Sequence, residues 1–134
     1  MEIDDELEPL TVHNCKVSPA MYNLVKHILK AIPDEYTEDF PSFSVYEHSP
    51  WRAHVEKDGE GEGILFLDPS LLDLPTDVAI GTLAHEFAHL FLGHTGKGGL
   101  QEDYEADELA CRWGFSAEVE AMRQHCGSPT DEQI

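Results

Sequence analysis

One segment of the chain, residues 78–92, is apolar almost all the way round and yet carries His85, Glu86 and His89. Such a composition is typical of a buried central helix. In a helix, His85 and His89 lie one turn apart on the same face, where their imidazoles can share a tetrahedral metal ion, and Glu86 lies beside them to handle a proton. Because two imidazoles and a carboxylate are costly to bury without a partner, the segment favours a metal site over two core histidines.

Length, charge and cysteine content restrict the class of protein. A chain of 134 residues fits one domain with a single core. A formal charge of -19 argues against direct binding to nucleic acid or anionic lipid and would attract basic peptides or basic partner surfaces. The amino terminus is acidic and no apolar run is uninterrupted, so we expect neither a signal peptide nor a membrane-spanning helix. Three cysteines without a CxxC pair are consistent with a reducing cytoplasm.

Start and stop signals divide the chain into an acidic flexible arm (1–17), a single domain (18–126) and a flexible tail (127–134). Ser18 and Pro19 predict the start of a helix that ends at Pro33 and buries Met21, Leu24, Val25, Ile28 and Ile32. At the other end, Ser116 and Gly127 bracket a last helix with Phe115, Val119 and Met122 turned inward.

Three short strands are predicted between the first helix and the histidine helix. Residues 42–47 and 51–57 alternate between apolar and polar side chains, and residues 64–67 form a short apolar run after a glycine-rich turn. A brief helical turn at Leu71 and Leu72 follows. The histidine helix then opens at residues 75–77 with a capping side chain and ends at Gly93. His94 lies beyond that end and on the opposite side from His85, so we do not count it as a ligand.

A second helix, residues 101–113, offers the third metal ligand. Asp103 and Asp107 fall on its small, apolar stripe, with Ala106, Ala110, Trp113 and Gly114, whereas its charged face carries Glu105, Glu108 and Arg112. We predict that Asp103 is the third protein ligand and that Asp107, one turn on, accepts the free ring N–H of a metal-bound histidine. The alternative is that both are solvated acids near a helix start, where the macrodipole favours them.

These motifs together resemble the gluzincin metallopeptidases, and within them the small ImmA/IrrE-like peptidases and the minimal gluzincin domains. The resemblance covers roughly residues 60–114: a short strand at Ile64–Leu67, then His85-Glu-Phe-Ala-His89, then Asp103-Tyr-Glu-Ala-Asp107-Glu-Leu-Ala110. It implies a zincin-like α+β fold with an amino-terminal helix, a small, mainly antiparallel three-stranded sheet, the HExxH helix and carboxyl-terminal helices. It also implies that the strand Ile64–Leu67 forms a cleft edge where an extended peptide pairs.

One position departs from the family pattern. Gluzincins typically use glutamate as the third ligand, followed one turn later by an aspartate, so the carry-over puts Asp103 where glutamate is expected. Aspartate is shorter by one methylene. Either the two helices approach more closely than usual, or a neighbouring glutamate, Glu102 or Glu105, binds the metal instead.

The resemblance and the residues lead to one functional prediction. One Zn²⁺ per chain, held by His85, His89 and Asp103, activates a water for peptide-bond hydrolysis with Glu86 as general base. The substrate is a peptide or protein, by analogy a regulatory protein. An oxyanion donor is missing from this scheme, and His54 and Tyr104 are the candidates.

The rival prediction is a zinc-binding regulatory protein that does not catalyse and binds a partner through its acidic surface. A closed site with four protein ligands would favour it, with Cys15 or Cys126 as the fourth. In a related variant, a terminal segment covers the metal of a latent enzyme until that segment is removed.

Overall fold

The computed structural model describes residues 12–47, 53–57, 63–93 and 100–126. Helices and one small sheet make up this part of the chain, which confirms the predicted α+β class. In chain order the elements are β1 (Val12–Lys16), α1 (Pro19–Ala31), α2 (Asp34–Thr37), β2 (Phe43–Tyr46), β3 (Ala53–Lys57), β4 (Gly63–Leu67), a 3-10 turn (Pro69–Asp73), α3 (Thr76–Leu92), α4 (Leu100–Ala110), a π-turn (Cys111–Phe115) and α5 (Ser116–Cys126).

The sheet differs from the predicted one in strand number and direction. Its order is β1-β2-β4-β3; β1 and β4 both pair with β2 in parallel, and only β3 and β4 pair antiparallel. The prediction of three mainly antiparallel strands is therefore wrong. Parallel neighbours are joined by long crossovers, such as the one through α1 and α2, so local alternation in sequence does not reveal which strands pair or in which direction.

The extra strand, β1, lies within the segment that the sequence assigned to the flexible arm. Residues 12–16 pair with β2, so this part of the segment is not a flexible arm. A buried row, Cys15, Val45, Leu65 and Val55, crosses all four strands in register. Residues 1–11 and the predicted tail, 127–134, lie outside the described residues.

β4 is an inner strand, because β2 pairs with one of its sides and β3 with the other. The prediction that Ile64–Leu67 forms a cleft edge is consequently wrong: its main-chain groups are already used in pairing on both sides. Among the described strands, β1 and β3 are the outer ones. β3 contacts the histidine helix α3.

The first helix follows its sequence signals. The Ser18 side chain caps α1 by accepting a hydrogen bond from the Met21 amide, Pro19 occupies the first turn, and the helix ends before Pro33. Met21, Val25, Ile28 and Ile32 are buried as predicted, and Leu24 is half-buried.

The central helix, α3, is buried along most of its length, from Val78 to Leu90. It ends at Gly93, whose left-handed conformation (φ 76°) suits glycine. Its N-cap residue is Pro75, which has no capping side chain; the Asp77 carboxylate, inside the first turn, accepts a hydrogen bond from the Val78 amide instead.

The carboxyl-terminal helices fold back onto α3. The π-turn contains Gly114, whose φ of 102° bends the chain between α4 and α5. α5 then packs against α3 so closely that a Cβ at Gly81 would lie 2.1 Å from the Glu118 carbonyl oxygen. Phe115, Val119 and Met122 are buried in this interface region as predicted. The two helices that follow α3 therefore flank its histidine face.

No helix in the described part of the chain combines the length and the apolar character that crossing a bilayer requires.

Candidate metal centre

His85 and His89 lie on α3 with side chains that are almost completely buried. Their Nε2 atoms are 3.0 Å apart, and the two ring planes stand nearly perpendicular, at 87°. The four-residue spacing of the helix produces this convergence, since residues i and i+4 project from the same face. The Nε2 atoms of His85 and His89 therefore converge on the same position.

Asp103 completes the cluster from α4. Its side chain is 2% exposed, and its Oδ1 lies 3.1 Å from His85 Nε2 and 3.2 Å from His89 Nε2. Of the acids proposed as third ligand, Asp103 is the one that joins the two histidines; Glu105 is exposed, and Glu102 is half-buried. The single methylene of aspartate suffices because α4 packs directly on α3.

The donor set fits a zinc ion. Two imidazole nitrogens and one carboxylate oxygen form a common three-ligand set for Zn²⁺, and donor atoms at roughly 2.0–2.1 Å from a tetrahedral metal lie about 3.3 Å from one another. Here they are separated by 3.0–3.2 Å. The other oxygen of Asp103, Oδ2, is buried without a hydrogen-bond partner among the described residues. A buried carboxylate oxygen left in this way is costly unless a cation neutralises it.

Asp107 holds the far side of the His85 ring. His85 Nδ1 lies 2.7 Å from Asp107 Oδ1, and because a carboxylate only accepts, Nδ1 carries the hydrogen and donates it. That tautomer leaves the lone pair on Nε2, the atom that faces His89 and Asp103. Asp107 therefore lies against the ring nitrogen of His85 that faces away from His89 and Asp103.

Arg123, on α5, was not identified from sequence. Its Nε lies 2.8 Å from Asp107 Oδ2 and its Nη2 lies 3.0 Å from Asp107 Oδ1, so the guanidinium binds the carboxylate through both oxygens. One signal was present: Arg123 follows Val119 by four residues and therefore lies on the inward face of the last helix, where an arginine needs a partner.

The charges of the cluster are strongly coupled. Burial lowers the pKa of His85, but hydrogen bonds to Asp103 and Asp107 outweigh it and raise that pKa from 6.5 to about 9. Burial raises the pKa of each aspartate, and the hydrogen bonds outweigh it again: those to His85 and His89 hold the pKa of Asp103 far below its ordinary value, and those to His85 and Arg123 lower the pKa of Asp107. Without a metal ion, the positive charge of protonated His85 offsets the negative charge of the carboxylates.

Glu86 directly follows His85 on α3 and is half-buried, between two fully buried neighbours. Its negative charge acts on His85 and contributes to raising the pKa of that imidazole. The glutamate thus lies at the border between the buried cluster and the surface.

The other residues considered from sequence lie elsewhere or outside the described residues. Tyr104, an oxyanion candidate, is 52% exposed on α4. The side chains of His54 and Cys126, and residue His94, are not among those described. Cys15 and Cys111 are free thiols and do not belong to the one group of potential metal ligands found in the described ranges. Burial raises the pKa of the Cys15 thiol, which disfavours its thiolate form.

Neither a protein-family model, nor a curated protein, nor a solved structure matches the chain.

Proposed function

We propose that this protein is a zinc-dependent peptidase of the gluzincin type, with one Zn²⁺ per chain held by His85, His89 and Asp103. The observation that supports it most is the buried triad with an unpartnered carboxylate oxygen, set next to Glu86 on the same helix. A purely structural cluster could pair protonated His85 with Asp103, but that pairing would leave Oδ2 of Asp103 without a partner in the described part of the chain and would give Glu86 no role.

Each residue of the site has a separate role in the proposed hydrolysis of a peptide bond. When bound, zinc lowers the pKa of water and polarises the peptide carbonyl. Glu86 accepts the proton of the attacking water and delivers it to the departing amine, as a general base and then a general acid. His85 is kept in the required tautomer by Asp107. His85, His89 and Asp103 would supply three protein ligands, so that water or substrate would bind the metal as well.

The substrate that suits this surface is an extended, basic segment of a peptide or protein. The formal charge of -19 attracts positive segments. β3 is an outer strand in contact with α3, so a peptide could add to the sheet there by main-chain hydrogen bonds. This edge replaces the inner strand β4 that the sequence suggested. By analogy with ImmA/IrrE-like peptidases, a cytoplasmic regulatory protein is the proposed target.

The test compares wild type with Glu86→Gln on a library of unstructured peptides, with cleavage followed by mass spectrometry. We expect Glu86→Gln to keep its zinc while hydrolysis falls by about 100-fold or more, as loss of a general base implies. Glu105→Gln, which removes the same charge from the exposed side of α4, is the control and should stay active. Full activity in Glu86→Gln would overturn the mechanism. Stoichiometric zinc without cleavage of any peptide by wild type would favour the regulatory alternative.

A further inference from the structure

The metal centre is supported by a third helix through Arg123. The guanidinium forms two hydrogen bonds to Asp107, at 2.8 and 3.0 Å, and Asp107 in turn accepts from His85. Both side chains of the ion pair are largely shielded from water, with exposures of 18% for Arg123 and 16% for Asp107. Pairs in such surroundings are screened less than surface pairs. A continuous chain of contacts thus runs from α5 to the Nε2 atom that faces the metal position.

The packing of the helices fixes where Arg123 stands. Gly81 lies one turn before His85 on α3, and α5 approaches it closely with the main chain of Glu118 and the Cβ of Met122. Met122 immediately precedes Arg123. The positive φ of Gly114 directs α5 back to this contact. Two glycines therefore bring the guanidinium to the level of the histidine cluster.

Asp107 needs such a partner to hold one orientation. Its carboxylate is the acceptor for His85, but it is also partly exposed and could rotate toward water. The Arg123 guanidinium donates hydrogen bonds to both oxygens, so it holds the plane of the carboxylate and stabilises its negative charge. Arg123 Nη2 and His85 Nδ1 are 3.5 Å apart, since both approach the same oxygen, Oδ1. Oδ1 is thus shared by the ring and the guanidinium.

We propose that Arg123 is a positioning residue of the metal centre, which acts through Asp107 to hold the His85 imidazole in its metal-binding orientation. The inference rests on the proposed metal site but not on peptidase activity. Its consequence is that α5, outside the stretch that carries the family resemblance, contributes to metal affinity.

Zinc affinity, measured by competition with a chromophoric chelator on the full chain, tests this role. We expect Arg123→Gln to weaken zinc binding about tenfold, at the lower end of the effect of losing a residue that orients a metal ligand. Arg123→Lys keeps the positive charge but cannot donate two parallel hydrogen bonds to the carboxylate, so its zinc affinity should lie between those of Arg123→Gln and wild type. The control is Arg112→Gln, which removes an exposed arginine of the π-turn that pairs with Glu108 of α4, and this variant should bind zinc like wild type.

A double-mutant cycle separates positioning from a general effect on the fold. If Arg123 acts through Asp107, the Arg123→Gln/Asp107→Asn protein binds zinc about as tightly as Asp107→Asn alone. Additive losses would overturn the proposal, as would wild-type affinity in Arg123→Gln or an equal loss in Arg112→Gln. If the Arg123→Gln protein does not fold, Arg123→Lys replaces it in the double-mutant cycle. Failure of wild type to bind zinc overturns the site and this role together, whereas tight zinc binding without peptidase activity removes only the proposed reaction.

Discussion

The hydrogen bond from His85 Nδ1 to Asp107 Oδ1, 2.7 Å long, joins two residues that are 22 positions apart in sequence and lie on different helices. It determines which nitrogen of the ring faces the proposed metal position. Asp103 approaches that nitrogen from the same helix as Asp107 but one turn earlier. Helix α4 therefore supplies both the proposed third ligand and the residue that orients His85, through the i, i+4 geometry that also pairs the histidines on α3.

Metal content is expected to depend on Asp103 and not on its acidic neighbours. Wild type purified without added zinc should contain one zinc per chain, and His89→Ala and Asp103→Ala should lose it, because each change removes one of three protein ligands. Glu102→Ala and Glu105→Ala serve as controls and should keep the metal. Elemental analysis of the purified proteins decides this. Zinc retained in Asp103→Ala would assign the third ligand to another residue.

Asp107→Asn is expected to weaken zinc binding about 10- to 100-fold while the fold is preserved. An amide can present its NH₂ group to the ring and favour the wrong tautomer, and it cannot neutralise Arg123. Chelator competition gives the affinity, and circular dichroism reports on the fold. Unchanged affinity would show that Asp107 does not orient the histidine.

The metal-free protein should lose stability as pH rises from 6.5 to 9. The folded-state pKa of His85 lies near 9, above its ordinary value of 6.5, so protonated His85 stabilises the fold fully below pH 6.5 and ceases to do so above pH 9. The loss is about 3 kcal/mol in the free energy of unfolding. Urea unfolding in the presence of a chelator measures it. His85→Ala should not show this dependence, and a flat profile in wild type would contradict the coupling.

The affinity for zinc should change with pH in the opposite direction to the stability of the metal-free protein. Binding displaces the proton on His85, so the apparent zinc affinity should rise by about tenfold per pH unit while this proton is being released, and level off above pH 9. Chelator competition at several pH values follows the change. An affinity that does not vary with pH would mean that the metal-free cluster holds no proton.

Gly81→Ala is expected to destabilise the protein by about 1–3 kcal/mol or more, since the added Cβ would lie 2.1 Å from a main-chain oxygen of α5. Helix α5 cannot move away without displacing Arg123. Urea unfolding of the zinc-free protein measures the loss, and the zinc affinity should fall in the same variant. An unchanged unfolding midpoint would show that the two helices do not approach so closely.

Much of the local structure could be predicted from sequence. The cap at Ser18, the stop before Pro33 and the apolar stripe of the last helix follow from short-range chemistry, and the structure has each of them. The buried helix around His85 and the inward placement of Asp103 were equally apparent, because a charged side chain on an apolar stripe is seldom buried unless it has a partner inside the protein.

Relations between distant segments could not be predicted in the same way. The parallel pairing of β1 with β2 joins segments separated by a helical crossover, and nothing in the sequence of residues 12–16 specifies a partner. The inner position of β4 depends on that pairing order.

The chemistry of the candidate site was thus determined locally, by four-residue spacings on two helices. Its geometry was decided by tertiary packing. Helices α3 and α4 lie close enough for the short side chain of Asp103 to reach the histidines. The close approach of α5 at Gly81 brings Arg123 into contact with Asp107. Spacing within a helix is set by covalent geometry and main-chain hydrogen bonds, whereas the distance between helices depends on every side chain packed between them.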